Sequence, residues 1–152
     1  MSIEAKLKAM GYEISAAALG QGKIEPAVRT GNLVFTSGQV SQRGAESFIG
    51  KVGGELSVEQ GYAAARLCAL NALGAIKAVV GDLDKVTRVV KLLGMVNAAE
   101  GFTRTPEVIH GCTDLLNELF GPIGRHARSA VGLYHLPANY AVEIEMIVEV
   151  KD

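Results

Sequence analysis

Tryptophan is absent from this 152-residue chain, and phenylalanine and tyrosine together supply only 5% of it. So few flat side chains offer little for nucleobases to stack on, and a formal net charge of -1 with a pI near 6.3 leaves no basic footprint for a phosphate backbone. Nucleic acid is therefore not an expected partner. Cysteine is almost missing as well. Cys68 and Cys112, both in apolar helical surroundings, make neither a disulfide framework nor a metal-ligand spacing, and both are expected to be reduced. His110 precedes Cys112 by two positions, roughly 200° around a helix, so the two cannot grip one ion. His126 and His135 also lack partners at ligand spacing, and no metal is expected. No apolar run reaches the roughly 18 residues of a membrane span, and Ser2 to Lys8 is charged and amphipathic rather than a secretory core. These absences lead us to expect a cytoplasmic protein without a membrane partner.

What is present reads as one globular domain over residues 1–152. The chain is 49% hydrophobic and 20% charged, and a chain of about 150 residues can bury roughly 70% of its unfolded surface in a single core. A first helix is expected near residues 2–10. Two strand-like runs, 26–30 and 33–37, flank Gly31-Asn32, a dipeptide suited to a tight hairpin turn. The polar, glycine-bearing stretch 38–54 reads as a long surface loop on the rim of a pocket. Ser57 to Gln60 has capping-box spacing and Gly81 supplies a stop, which predicts a helix over 58–80. Glu59, Arg66 and Lys77 fall within about 20° of one another on it, a narrow polar stripe on an apolar cylinder.

A central strand is predicted over 86–96. A helix beginning at Thr105-Pro106-Glu107, with cap, N1 proline and first-turn acid, runs to Gly121-Pro122. Strands over 129–136 and 141–150 close the chain, the last alternating cleanly between Val142, Ile144, Met146, Val148 and Val150 on one face and Glu143, Glu145, Ile147 and Glu149 on the other. The order implies an α+β fold, a sheet with helices on one face. The acidic face of the last strand implies wet or intersubunit cover, because three carboxylates do not sit unpaired in a dry core. Gly20-Gln21-Gly22-Lys23 lacks the spacing and preceding strand of a phosphate loop and reads as a flexible lead-in.

Ala127-Arg128-Ser129-Ala130-Val131, Leu136-Pro137 and Val142-Glu143-Ile144-Glu145 together resemble the signature of the Rid/YjgF family, also called L-PSP-like proteins. Gly31 to Gln39 is similar to that family's first hairpin, and the likeness runs from about Lys23 onward, within the family's longer subgroup. The resemblance implies a chorismate-mutase-like fold, a mixed or antiparallel sheet with two long helices on one face, and homotrimers enclosing a barrel of sheets. Small carboxylates then bind in clefts between subunits. Members of the deaminase branch hydrolyse enamines and imines of the 2-iminobutanoate or 2-iminopropanoate type to a keto acid and ammonia, without a cofactor. By the same resemblance Arg128 is the carboxylate anchor and Glu143 the water-orienting acid, while backbone amides at Ser37-Gly38 and in the strand after Arg128, including Ala130, line the ligand. A tyrosine common at the cleft falls on Ile24, an asparagine on His110, and a cysteine on Ala130.

The chemistry suits these residue types. A guanidinium offers two parallel donors to a carboxylate, and a charge-assisted bond of this kind contributes roughly 1.5 to 3 kcal/mol. The competing structural reading pairs Arg128 with Glu149 or another carboxylate. If Leu136 faces Ala141 in a simple hairpin, Glu143 lies opposite Tyr134, about 20 Å along the strand from Arg128, and a site using both is more natural between subunits or across a bulged hairpin. Ile24 and Ala130 would give an apolar wall that favours bulkier imines. The leading function is enamine/imine hydrolysis, the alternative a non-catalytic small-carboxylate-binding regulator. Ribonuclease activity is disfavoured by the acidic pI, the scarcity of aromatics and the lack of a histidine pair.

Overall fold

Local signals set the helices. The computed structural model describes residues 1–152. Helix α1 (Ile3–Ala9) starts where the Ser2 hydroxyl accepts from the Ala5 amide. Helix α2 (Val58–Val80) opens with a reciprocal capping box between Ser57 and Gln60 and stops at Gly81, whose φ of 82° suits glycine. By length and composition α2 could cross a bilayer, yet 67% of its apolar window is buried inside the protein, which makes it a core helix. Its polar stripe is occupied: Arg66 donates to the Tyr12 hydroxyl at 2.9 Å, and Lys77 to the Ile14 carbonyl at 3.1 Å.

Helix α3 (Thr105–Phe120) begins one residue earlier than the sequence predicts, because Arg104 occupies the cap position. Thr105 caps nothing. Its hydroxyl donates instead to the Ala130 carbonyl at 3.0 Å and so ties the start of α3 to the sheet. The two long helices approach closely at Gly111, where a β-carbon would meet the Tyr62 carbonyl oxygen at 2.0 Å. That contact fixes which face of α3 turns outward.

The strands are β1 (Ala27–Thr30), β2 (Leu33–Thr36), β3 (Gln39–Val40), β4 (Gln42–Arg43), β5 (Glu46–Ser47), β6 (Val86–Asn97), β7 (Ala127–Leu133) and β8 (Val142–Val150). The main sheet runs β1-β2-β8-β6-β7, and β3 pairs with β8 further along its length. The turn at Gly31-Asn32 closes the β1–β2 hairpin with Thr30 opposite Leu33. The fold is thus α+β, a mixed sheet with helices on one face.

Two expectations need correction. β7 and β8 do not form a hairpin: β7 runs parallel to β6, and β8 lies antiparallel on the other side of β6, so β6 separates them. Stretch 38–54 is not simply a surface loop either. It carries β3 and the β4–β5 hairpin, and Val52 is fully buried and bridges to Ala98.

In-register neighbours of a sheet point to the same side. Leu92 and Met146, paired with one another, are buried under the helices with Val34, Val89, Ile144 and Val148. On the opposite face lie Phe35, Lys91, Leu93, Ser129, Val131, Glu145 and Ile147, none of them buried. That face has no helix over it, and a shallow groove of about 310 Å³ runs between Phe35, Lys91, Leu93 and Ile147. β1 and β7 are the sheet edges.

Candidate functional site

Arg128 lies in register with Leu92 and so leaves β7 on the helix side, under α3. Helical spacing places His110, Thr113 and Asn117 of α3 along one strip facing it. Arg128 Nη1 lies 2.9 Å from His110 Nδ1 and donates to Thr113 Oγ1 at 3.2 Å. Thr113 Oγ1 in turn lies 3.1 Å from His126 Nε2, and His126 Nδ1 lies 2.6 Å from the Gly124 carbonyl. One set of proton positions satisfies the chain. His126 donates from Nδ1 to the carbonyl, Thr113 donates to Nε2 while accepting from Arg128, and His110 accepts at Nδ1. Burial, and to a lesser degree the Arg128 charge, hold the His126 imidazole below its usual value, in keeping with that neutral tautomer.

These side chains, with Asn117 and Arg125, line an open cleft of about 290 Å³ that contains neither an apolar nor an acidic residue. The acids of α3 are engaged elsewhere. Asp114 accepts from the Tyr62 hydroxyl at 2.7 Å, which drives the Tyr62 pKa up to about 12. Glu118 pairs with Arg66 at 3.3 Å, and Glu107 pairs with Arg104. Glu149, the suggested partner of Arg128, accepts instead from Thr87 at 2.9 Å. Arg128 therefore has no carboxylate partner in the chain.

A second corner is built around Glu143. Strands β2 and β3 pair with successive parts of β8, and Ser37-Gly38 is the break between them. The Ser37 hydroxyl donates to the Glu25 carbonyl at 2.6 Å and its amide to the Pro26 carbonyl at 2.8 Å, pinning the break. Gly38 leaves room for the Glu143 carboxylate, whose Oε2 lies 2.7 Å from the point a β-carbon would occupy. Partial burial, and then the nearby Glu145 charge, raise the Glu143 carboxyl above the usual carboxylate range.

A family model for the YjgF/chorismate-mutase-like endoribonucleases matches residues 4–150. Protein TCP17 of Trypanosoma cruzi is 39% identical over 152 residues, covering 99% of this chain and 95% of that protein. Among solved structures, Agrobacterium tumefaciens Atu1372 is 38% identical with a TM-score of 0.89, covering 98% of this chain and 92% of its own. A Shewanella oneidensis protein is 31% identical with a TM-score of 0.92, covering 99% and 100% respectively.

The chain belongs to the YjgF family. Membership supports a small-molecule function of the Rid type in general terms. Within this YjgF-family protein the residues expected at the site fall into two groups. Ser37, Gly38 and Glu143 come together on one side, with Ile24 next to the pinned Glu25 and 74% exposed. Arg128, His110 and the partly buried Ala130 are on the other side, where Ala130 packs toward the core. Glu143 is in register with Met95 and thus points to the open face, opposite to Arg128. One small ligand cannot touch both groups within a single chain.

Sequence reasoning missed Thr113, Asn117, Arg125 and His126. Two signals were there to be used: the 110, 113, 117 spacing on a helix whose acids face elsewhere, and the dense basic run Arg125-His126-Ala127-Arg128. No apolar residue lines the Arg128 cleft of the single chain, and neither Ile24 nor Ala130 is among its walls.

Proposed function

We propose that this protein is a cytoplasmic homotrimer that hydrolyses small carboxylate-bearing enamines or imines to a keto acid and ammonia. Each site lies between subunits, with Arg128 of one copy meeting the Ser37-Gly38-Glu143 corner of the next. The observation that carries the reading is the Arg128 guanidinium, on an edge strand and in an acid-free cleft, with no carboxylate to pair with in its own chain. A guanidinium left without an internal carboxylate suits an external one. The uncovered, partly apolar sheet face supports burial against further copies.

In this reading the Ser37-Gly38 backbone and Arg128 orient the ligand. Water adds to the carbon of the protonated imine as Glu143 takes one of its protons and returns it to the nitrogen. The C–N bond of the carbinolamine then breaks with its electron pair leaving on nitrogen, while the remaining hydroxyl proton passes through Glu143 to solvent. Ammonia leaves and the carbonyl forms. A carboxyl raised toward neutrality suits this two-way proton traffic, and no cofactor is required. Escherichia coli TdcF, which shares the fold at 21% identity, has been crystallised with serine, a ligand with a carboxylate of the class proposed here.

A second reading, non-catalytic binding of small carboxylates, draws on Ile24 and Ala130, which bring no polar group to the pocket. Phosphodiester cleavage by a histidine pair fits less well. His110 and His126 share a cleft, but both His126 nitrogens are engaged inside the protein and leave no pair poised for that cleavage.

The test supplies imines made in place by an amino-acid oxidase and follows ammonia release, alongside calorimetric binding of 2-oxobutanoate. Wild type should accelerate release, and Glu143→Gln should lose turnover by roughly 100-fold while still binding the keto acid. Binding without acceleration by wild type would favour the regulator.

A further inference from the structure

Resting on the carboxylate reading of Arg128, we infer that the ligand carries two anionic groups, a carboxylate at Arg128 and a second carboxylate or phosphate at Arg125. The cleft lining is His110, Thr113, Asn117, Arg125, His126 and Arg128. Two arginines therefore line one small space with no acid in its wall. The neighbouring acids Glu107, Asp114 and Glu118 are engaged with Arg104, Tyr62 and Arg66, so none is free to compensate them.

The two arginines are free in different ways. Arg128 commits Nη1 to His110 and Thr113 and keeps Nη2 and Nε for a ligand. The Arg125 side chain enters no ion pair, and its carbonyl accepts from Arg88 Nη2 at 3.4 Å, which brings a third cation to the rim. Between them His126 is held by Gly124 and Thr113 as a neutral floor, its proton affinity lowered by burial, so the fixed positive charge comes from the guanidiniums.

A monocarboxylate would neutralise one guanidinium and place its aliphatic tail against a wholly polar wall. That leaves the second cation uncompensated as the cleft is desolvated, which weakens binding. A ligand ionised at both ends satisfies both charges, and Asn117 adds neutral donors and an acceptor for a group between them. The single-arginine anchor implied by the family resemblance does not require this, because Arg125 lies outside the resembling motif.

The experiment measures calorimetric binding of three probes to the intact protein: 2-oxobutanoate with one carboxylate, 2-oxoglutarate with two, and 3-phosphoglycerate with a carboxylate and a phosphate. One of the two-anion probes should bind about tenfold or more tightly than 2-oxobutanoate, and the tighter one identifies the second group. Arg125→Gln should remove that preference, weakening the two-anion probe about tenfold more than 2-oxobutanoate, with thermal melting confirming that the variant is folded. Arg125→Lys should retain part of it, since the charge survives without the fork. Equal binding of all three probes overturns the inference, as does a preference that persists in Arg125→Gln. Arg128→Ala separates the two levels. Should it leave 2-oxobutanoate binding intact, the carboxylate reading itself fails; should it abolish that binding while Arg125→Gln changes nothing, only the second anion is refuted.

Discussion

A carboxylate oxygen of Glu143 lies against the α-carbon of Gly38, 2.7 Å from where a β-carbon would stand. The approach is possible because the chain breaks between β2 and β3 at this residue, and glycine alone leaves the space. The atom in the way is the far end of a flexible side chain, so Gly38→Ala should move the carboxylate rather than unfold the protein. We expect a melting temperature close to wild type and imine turnover lower by about tenfold or more, since about an ångström of misplacement costs a proton-transfer group much of its effect. Unchanged turnover, with ammonia release as the assay, would mean that Glu143 does no chemistry from this position.

Arg128 and Glu143 leave the sheet on opposite faces, so a shared site requires two chains. Arg128→Ala and Glu143→Gln should each be nearly inactive alone. After mixed refolding, sites that pair an intact arginine from one chain with an intact glutamate from the other should return about a quarter of wild-type activity, as random pairing requires. No recovery in subunits verified to have exchanged would rule out an intersubunit site built from these two residues.

Acidity should act on the two corners with opposite sign. His126 is held below its ordinary 6.5, so the native state binds fewer protons than the unfolded chain just under that value. Its contribution is complete above pH 6.5 and is lost as pH falls through the lowered value. Glu143 is raised above its ordinary 4.5, so its contribution is complete below that value and lost as pH rises through the raised one. Melting temperatures between about pH 4 and pH 8 should show wild type losing ground to His126→Asn on acidification and to Glu143→Gln on the way up. Parallel curves for all three proteins would refute both assignments.

Gly111 holds α3 against α2, and its substitution meets backbone rather than a movable side chain: the added carbon would be 2.0 Å from the Tyr62 carbonyl oxygen and 2.8 Å from its carbon. Gly111→Ala should cost about 3 kcal/mol, a fall of roughly 10 °C in melting temperature for a chain of this size. Because His110 and Thr113 flank it on the helix, binding of 2-oxobutanoate should weaken in the fraction that stays folded. Wild-type stability measured by calorimetry would show that the helices can separate freely here.

Much of this molecule is written locally. Ser57 and Gln60 cap α2 through a contact three residues apart, Gly31-Asn32 closes its hairpin over two residues, and the alternation of β8 announces its buried and open faces; each depends only on neighbours in sequence. The motif around Arg128 and Glu143 was likewise legible as residue types in order. The partners those residues would meet were not. Whether β7 pairs with β8 or with β6 depends on contacts across the whole chain, and the parallel pairing with β6 places Arg128 in register with buried Leu92 while Glu143 shares a rung with Met95 on the other face. Side-chain direction in a sheet reverses with every residue, so a change of pairing partner decides which face a residue serves, and no local pattern records that choice. The acid-free cleft was decided in the same way. Only the packing of α3 on α2 turns Asp114 and Glu118 toward Tyr62 and Arg66, leaving His110, Thr113 and Asn117 to face two arginines and His126.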